Sequence, residues 1–549
     1  MNGRRALAAI AGVSAALLGV GAGELAAALV APASGPFAVI GGTLIDAAPA
    51  WAKDTAIAWF GTSDKAALLT GIAVALLVVA AVAGLCEARW RRTGIVAFVA
   101  LGLAVGGLSL TRAEASELSW APSLLAGFAA AGALRLLRDR FPGPAPITQA
   151  EPHRSEPHRA EPLRAEPGSR PATPQPTSAG EPTSAGEPVR ILDPSRRRFL
   201  AWAVGTAALG IALAIASTAA RTGSTAVANV RKAIRLPRPA TPGPAIPAGA
   251  ELDVPGITKL ITPNSEFYRI DTALIVPTVD PASWKLRIHG MVEREIELSW
   301  DELLRLPMTE TTATLSCVSN EVGGDLVGNA VWLGVPIREL LARAKPSSGA
   351  DMVLSTSVDG FTAGTPLETL TDDRDALLAI GMNGEPLPCE HGFPVRMVVP
   401  GLYGYVSATK WVTDLEVTRF DRATAYWTDR GWSARGPIKL ESRIDVPRAG
   451  RTLAAGETAI AGIAWQPHVG VAAVEVRIDD GPWQRATLAP AISDDTWVQW
   501  SLPWTADAGR HEIRCRAIAR DGTVQTGEVA PPAPDGATGW HTIPVTVGS

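Results

Sequence analysis

Histidine is absent from the first 140 residues, and cysteine occurs only four times in 549. A b-type haem inside a helical bundle needs histidine ligands, so the amino-terminal part is not expected to be a cytochrome b, and no haem is expected. The cysteines, Cys86, Cys317, Cys389 and Cys515, lie far apart, with no CxxC pair and no zinc spacing. A disulfide framework is therefore not expected. Charge is scarce as well, at 19% of residues against about 25% in an average soluble domain. The net charge of -4 gives no support for a nucleic-acid partner.

Apolar runs, in contrast, crowd the first 220 residues. Residues 66–86 carry no charge between Ala66 and Leu85 and are long enough to cross a bilayer core of about 30 Å. Residues 6–33 (interrupted by Glu24), 94–110, 118–134 and 199–220 are further candidates. The apolar stretch 37–60 contains Asp46, Lys53 and Asp54 and reads as a surface or re-entrant segment. Lys/Arg placement sets the orientation. The basic segments EARWRR at 87–92 and RLLRDR at 135–140 should be cytoplasmic, and TRAEASE at 111–117 should lie outside. This gives a four-helix membrane region over 1–140, with both ends cytoplasmic.

Residues 141–195 are rich in Pro, Glu, Ala and Arg, with EPHRSEPHRAEPLRAEPGSR and a repeated TSAGEP. Such composition cannot bury a core and predicts a disordered cytoplasmic linker. SRRRFLAW follows, directly before the fifth apolar run. It reads either as a basic flank or as a twin-arginine export signal resembling S-R-R-x-F-L, with Ser195, Arg196, Arg197, Phe199 and Leu200 in place. The export reading is favoured, over 196–222. Both readings put the rest of the chain outside. A Pro/Ala-rich tether is expected at 223–250, a mixed α and β domain at 251–435, and a carboxy-terminal part, 436–549. There VAAVEVRI and HEIRCRAI alternate between Gly and Pro turns, which predicts an immunoglobulin-like β-sandwich.

Four blocks carry chemistry: TPNSEFYRID at 262–271, TLSCVSNEVGG at 314–324, MNGEPLPCEHGFPVRMVVPGLYGYVSATKWV at 382–412, and YWTDRGWSARGPIKLESRID at 426–445. Their order and spacing resemble the sulfite oxidase family of molybdopterin enzymes, from about residue 255 to the end. The resemblance implies an α+β molybdopterin domain holding a molybdenum-molybdopterin cofactor, with Cys317 as the catalytic metal ligand. A soft thiolate suits a high-valent molybdenum, and Asn320 and Glu321 would lie near it. It further implies that His391, Arg396, Ser407 and Lys410 hold the pterin and its phosphate. Arginine suits that task through bidentate bonds. Phe267, Tyr268 and Arg269 resemble the segment that clasps the pterin.

The departures are specific. Animal and plant members carry an arginine at the position matching Ile270 and another soon after the metal cysteine, where this chain reads SNEVGG. Their late-block tyrosine is Trp432 here. A site without those cations should bind a dianion such as sulfite poorly, and Arg269, Arg435 and Arg443 are the candidates to compensate. The expected function is oxygen-atom transfer on a small-molecule substrate, in a multi-pass membrane protein with its catalytic domain extracytoplasmic. Electrons would pass to or from a redox partner, a cytochrome or quinone system, and a homodimer is compatible with the sandwich. The alternative is a non-catalytic membrane scaffold keeping a degenerate molybdopterin-enzyme fold.

Overall fold

The computed structural model describes residues 2–48, 55, 64–113, 115–141, 194–222 and 225–548. Most of the expected linker, 142–193, lies outside the described residues, as does much of 37–60.

The apolar runs form helices at Asn2–Val30, Pro36–Ala47, Asp64–Arg89, Thr93–Ser109, Ala121–Arg138 and Pro194–Thr222. Three are long and apolar enough to cross a membrane, over Arg4–Val30, Ala67–Arg89 and Ser195–Ala220. The runs read as crossings at 94–110 and 118–134 make helices of 17 and 18 residues, at the short end of the roughly 17–25 that cross a bilayer core. The helices share a core built largely of alanine, including Ala11, Ala15, Ala80, Ala130 and Ala203, with Phe98, Leu134 and Phe199. Small residues let the backbones approach closely. A Cβ on Gly21 would lie 2.1 Å from the Gly210 carbonyl oxygen, and one on Gly210 would lie 2.3 Å from that of Leu17.

Two buried acids tie the helices together. Glu24, which breaks the apolar pattern of the first run, accepts the Phe37 N–H at 3.0 Å at the start of the next helix. Glu87 accepts the N–H groups of Arg92, Gly94 and Ile95 at 3.1–3.3 Å and pairs with Arg138 at 2.8 Å. The first-turn N–H groups of a helix have no internal partner and carry its positive dipole end, so a carboxylate satisfies both needs.

The segment expected as a tether is docked on the globular part. From the helix Thr225–Ala233, Arg231 donates to the carbonyls of Pro386 and Leu387 and pairs with Glu385. Ala240 then donates to Met308 O, and Glu310 to Thr241 O. Backbone groups make the latter bonds, which Pro/Ala-rich composition does not reveal.

The mixed domain has ten strands: β1 (Lys285–Gly290), β2 (Ile296–Ser299), β3 (Thr309–Ser316), β4 (Val327–Pro336), β5 (Met352–Ser357), β6 (Thr362–Pro366), β7 (Leu377–Met382), β8 (Glu385–Pro386), β9 (Arg396–Val398) and β10 (Val412–Thr418). One sheet runs β2-β1-β10-β5-β6. The other runs β3-β4-β7-β8, with β9 added on β7. The helix Ile337–Ala344 buries Leu340 and Leu341 in the main core, together with Leu286, Ile288, Val353, Leu415 and Val417 from the first sheet. The carboxy-terminal part is two sheets. One has strands Glu441–Val446, Gly456–Trp465, Val498–Ala506 and Thr487–Leu488 in that order. The other has Thr452–Ala454, Thr542–Gly548, Gly509–Ala519, Val471–Ile478 and Gln484–Arg485. Ile460, Val474, Trp500, Cys515 and Ile543 fill the core between them.

The glycine contacts give a paired test. Gly210→Leu should destabilise the detergent-solubilised protein by about 2 kcal/mol through overpacking. Gly205→Leu, on the same helix with no atom within 4 Å of its added Cβ, should leave it within about 0.5 kcal/mol. Equal thermal midpoints for the two variants would refute the close-packed seam.

Candidate active site

Cys317 follows directly on β3, in a loop closed by its own backbone. Cys317 N–H donates to Leu326 O at 2.9 Å, and Asn320 N–H to Cys317 O at 3.1 Å. Asn320 Oδ1 accepts the Leu326 N–H at 2.8 Å. The thiol lines a cavity of about 650 Å³ together with Tyr268, Arg269, Ile270, Asn320, Glu321, Arg396, Lys410 and Trp432. Burial pushes the Cys317 thiol up, while hydrogen bonding from Ser319 and the charge of Lys410 oppose that.

His391, Arg396 and Lys410 meet in space. A Cβ on Gly392, whose φ is +109°, would lie 2.9 Å from Arg396 Cβ and 3.1 Å from Lys410 Cβ, so the turn needs glycine. Arg396 is buried, and its guanidinium donates only to the carbonyls of Met397, His391 and Ala408, at 3.3–3.4 Å. It has no carboxylate partner among the described residues. Burial lowers its pKa to about 10. A buried cation without an anion is costly, so this corner of the cavity is suited to one.

Lys410 Nζ donates to Asp271 at 2.9 Å and to Glu390 O at 3.1 Å. Burial lowers its pKa to about 8, against the raising effect of Asp271. His391 Nε2 donates to Asn264 O at 3.1 Å, while Nδ1 is buried without a partner. Burial, then the charges of Arg396 and Lys410, push its pKa down to about 4, so the ring is neutral. Its edge meets Phe267, which stacks on Tyr268 at 5.2 Å. Burial holds the Tyr268 phenol un-ionised. Ser407 is placed differently. Its hydroxyl donates to Leu402 O and Tyr403 O, and it does not line the cavity.

All three departures face the cavity: Ile270, Trp432, and Ser319, Asn320, Glu321 and Gly324 of the SNEVGG segment line it. Of the three arginines named as candidates to compensate, only Arg269 does. It is engaged by Asp271 at 2.8 Å. Arg435 pairs with Glu368 and lies over Phe420, and Arg443 is held by Asp445, Gly324 O and Thr258.

Two residues escaped the sequence reading. Asp271 joins Arg269 to Lys410 and stands two residues after Arg269, where only that spacing hinted at a pairing. Glu441 is buried and accepts from Asn320 Nδ2 at 3.4 Å. Burial pushes its carboxyl to about 8, and no spacing signal links it to a loop 121 residues away.

The described geometry fits a phosphate-bearing, sulfur-liganded group: a buried thiol, an anion-seeking guanidinium, and an imidazole nitrogen without a partner. Residues 273–427 match the oxidoreductase molybdopterin binding domain family. The chain is 30% identical over 324 residues to chicken sulfite oxidase (Gallus gallus), covering 50% of this chain and 70% of that protein. It is 31% identical over 320 residues to human mitochondrial sulfite oxidase (Homo sapiens), covering 49% of this chain but only 58% of that one. Among solved structures, the sulfane dehydrogenase SoxCD from Paracoccus pantotrophus aligns with a TM-score of 0.46 and 24% identity. That alignment covers 52% of this chain and 81% of that one.

The buried imidazole predicts an acid response. The His391 pKa lies below the unfolded value of about 6.5, so between about 6.5 and 4 the unfolded chain binds more protons. Stability is therefore complete above about 6.5 and falls as pH drops toward 4, by up to about 1.4 kcal/mol per pH unit. His391→Gln should flatten that fall in thermal melts between pH 7 and 5. An unchanged slope would mean that the imidazole is not buried neutral.

Proposed function

Because the chain belongs to the sulfite oxidase family of molybdopterin oxidoreductases, and is a molybdenum-dependent enzyme, we propose that it is anchored in the cytoplasmic membrane and catalyses oxygen-atom transfer on a small-molecule substrate at the extracytoplasmic face. The buried, anion-seeking Arg396, which shares its cavity with Cys317, is the observation that carries this reading. When bound, the molybdenum cofactor supplies two-electron oxygen-atom chemistry, in either direction. Cys317 is its protein ligand. Arg396, Lys410 and His391 hold the pterin and its phosphate. Phe267, Tyr268 and Arg269 clasp the pterin, and Ser407 braces the backbone at 402–403 rather than touching phosphate. The aromatic wall of Trp427, Trp432 and Tyr405 keeps water from the reacting side.

The unit 251–435 is read as the molybdopterin domain and 436–549 as an immunoglobulin-like domain able to form a homodimer. Residues 1–140 and 196–222 are read as five crossings, the two short helices tilting little. Sulfite is a poor substrate in this reading. Ile270 and Trp432 supply no charge, and Arg269 is already neutralised by Asp271.

Cys317→Ser should abolish turnover and change the molybdenum spectrum while the thermal midpoint stays within a few degrees, since a hydroxyl is a hard, poorly ionised replacement for thiolate. Arg396→Ala should cut molybdenum and pterin content several-fold, and Arg435→Ala should not. Normal turnover in the serine variant, or equal cofactor content in the two alanine variants, would overturn the assignment.

Export has its own test. The cofactor is inserted in the cytoplasm in this family, so the catalytic part is expected to cross already folded, through the twin-arginine machinery. Arg196→Lys with Arg197→Lys keeps the charge but should leave residues 251–549 protected from external protease in spheroplasts. Digestion of the double variant at the wild-type rate would leave only a basic flank.

A further inference from the structure

Cys317 sits at the head of a loop, 317–326, that leaves β3 and returns to β4. The loop holds two adjacent glycines, and Gly323 has a φ of +81°. Glycine is the freest residue in conformation, so this stretch has little stiffness of its own. Its internal bonds close its neck, where Cys317 N–H reaches Leu326 O and Leu326 N–H reaches Asn320 Oδ1. One turn is closed as well, by Gly324 N–H on Glu321 O at 2.8 Å. A metal ligand on such a loop needs support from outside it, because the groups around a ligand set its orientation.

That support comes from the carboxy-terminal part. Glu441 and Arg443 share one face of the strand Glu441–Val446, since side chains alternate along a strand. Glu441 accepts from Asn320 Nδ2 at 3.4 Å. Arg443 donates from Nη1 to Gly324 O at 2.7 Å. Its fork is fixed at the same time by Asp445 at 2.8 Å and by Thr258 Oγ1 at 2.7 Å, which makes it a rigid, charge-assisted anchor. The His541 ring accepts the Ile444 N–H at 2.9 Å through Nδ1. It lies so close against Gly323 that an added Cβ would collide with it. The strand that leads into the loop is held too. Thr314 N–H donates to Asp495 O at 2.9 Å, and Trp497 N–H to Thr314 Oγ1 at 2.8 Å. Contacts that only joined two parts of the chain would have no reason to fall on this loop. Three of them do, at Asn320, Gly323 and Gly324, and Asn320 and Gly324 also line the cavity.

We propose that Glu441, Arg443 and His541 are positioning residues for Cys317, holding its loop from the carboxy-terminal part so that the thiol is presented to the cavity in one fixed position. The proposal rests on the reading of Cys317 as the metal ligand. It gives 436–549 a share in the chemistry of a cavity that none of its residues lines. The role of Glu441 is that of an acceptor rather than a charge. Burial pushes its carboxyl to about 8, so near pH 7 it is mostly neutral, and a glutamine is its near copy.

The test uses the full-length holoenzyme in detergent at pH 7. Alkylation of Cys317 by iodoacetamide is followed by mass spectrometry of its peptide. The half-reduced metal is examined by paramagnetic resonance, whose g-values shift with the orientation of a thiolate ligand. Arg443→Ala and Glu441→Leu release the loop, while Glu441→Gln keeps the acceptor. Val474→Ala is the control for lost stability alone, since Val474 is buried in the core between the two carboxy-terminal sheets. We expect Arg443→Ala and Glu441→Leu to raise the alkylation rate about tenfold and to shift the g-values. Glu441→Gln should match the parent. Val474→Ala should lower the thermal midpoint with rate and spectrum unchanged. Equal rates and spectra in Glu441→Leu and Glu441→Gln, or equal changes in Val474→Ala and Arg443→Ala, would overturn the proposal. Should Arg443→Ala fail to accumulate, the Glu441 pair decides alone. Molybdenum missing from every preparation would instead overturn the enzyme reading, and the ranking of alkylation rates, which needs no metal, would still decide whether the loop is held.

Discussion

A guanidinium buried without a carboxylate is the constraint around which the catalytic part is arranged. Arg396 reaches only carbonyl oxygens at 3.3–3.4 Å, and neutral acceptors do not repay the loss of water around a full charge. Much of the neighbourhood limits that cost. Trp332 offers its ring face to the guanidinium at 5.1 Å, Gly392 lets Arg396 and Lys410 approach, and Asp271 takes up the second cation. An anion at this corner would complete the set. The neutral state of His391 belongs to the same arrangement: two nearby cations and burial keep the proton off, so the ring adds no third positive charge.

The sequence made the candidate site positions legible because they sit in short blocks with fixed spacing. Cys317, His391, Arg396 and Lys410 could be named from those blocks, and the structure brings all four to one region. What a block does not encode is the direction of a side chain. Ser407 lies three residues before Lys410, yet its hydroxyl turns back to the carbonyls at 402 and 403. Nor does a block report partners from distant segments, and so Asp271 and Glu441 went unnoticed. The same limit appears in the fold. Hydrophobic runs located the major apolar helices among the described residues, but not that Thr93–Ser109 and Ala121–Arg138 are at the short end of what crosses a bilayer, nor that the Pro/Ala-rich 225–250 segment binds in part through its backbone.

Charges in the helical region illustrate a related ambiguity. Glu24 reads in sequence as an interruption of an apolar run, and Glu87 as part of a charged loop. In three dimensions each serves as the cap of the next helix, with Glu87 also paired to Arg138. A carboxylate in an apolar bundle would be costly alone. Here it replaces water at N–H groups that have no other acceptor, so charge and helix ends stabilise one another. These caps also fix where the helices turn.

The cavity's charge pattern then bears on what can react there. Lysine and arginine line it at 269, 396 and 410, and acids at 271, 321, 325 and 359. Asp271 already engages both Arg269 and Lys410. If Arg396 and Lys410 face a phosphate, no cation lining the cavity is left free to meet a dianion, while Glu321, Asp325 and Asp359 would repel one. Ile270 and Trp432 complete that side with surface that is apolar or only weakly polar. A neutral substrate loses little on entering such a space and gains contact with Trp427, Trp432 and Tyr405. Keeping the cofactor-side residues while replacing the substrate-side ones is what a change of substrate within one chemistry would require: under the proposed function, the chemistry would depend on the group bound at Cys317, and selectivity on the walls around it.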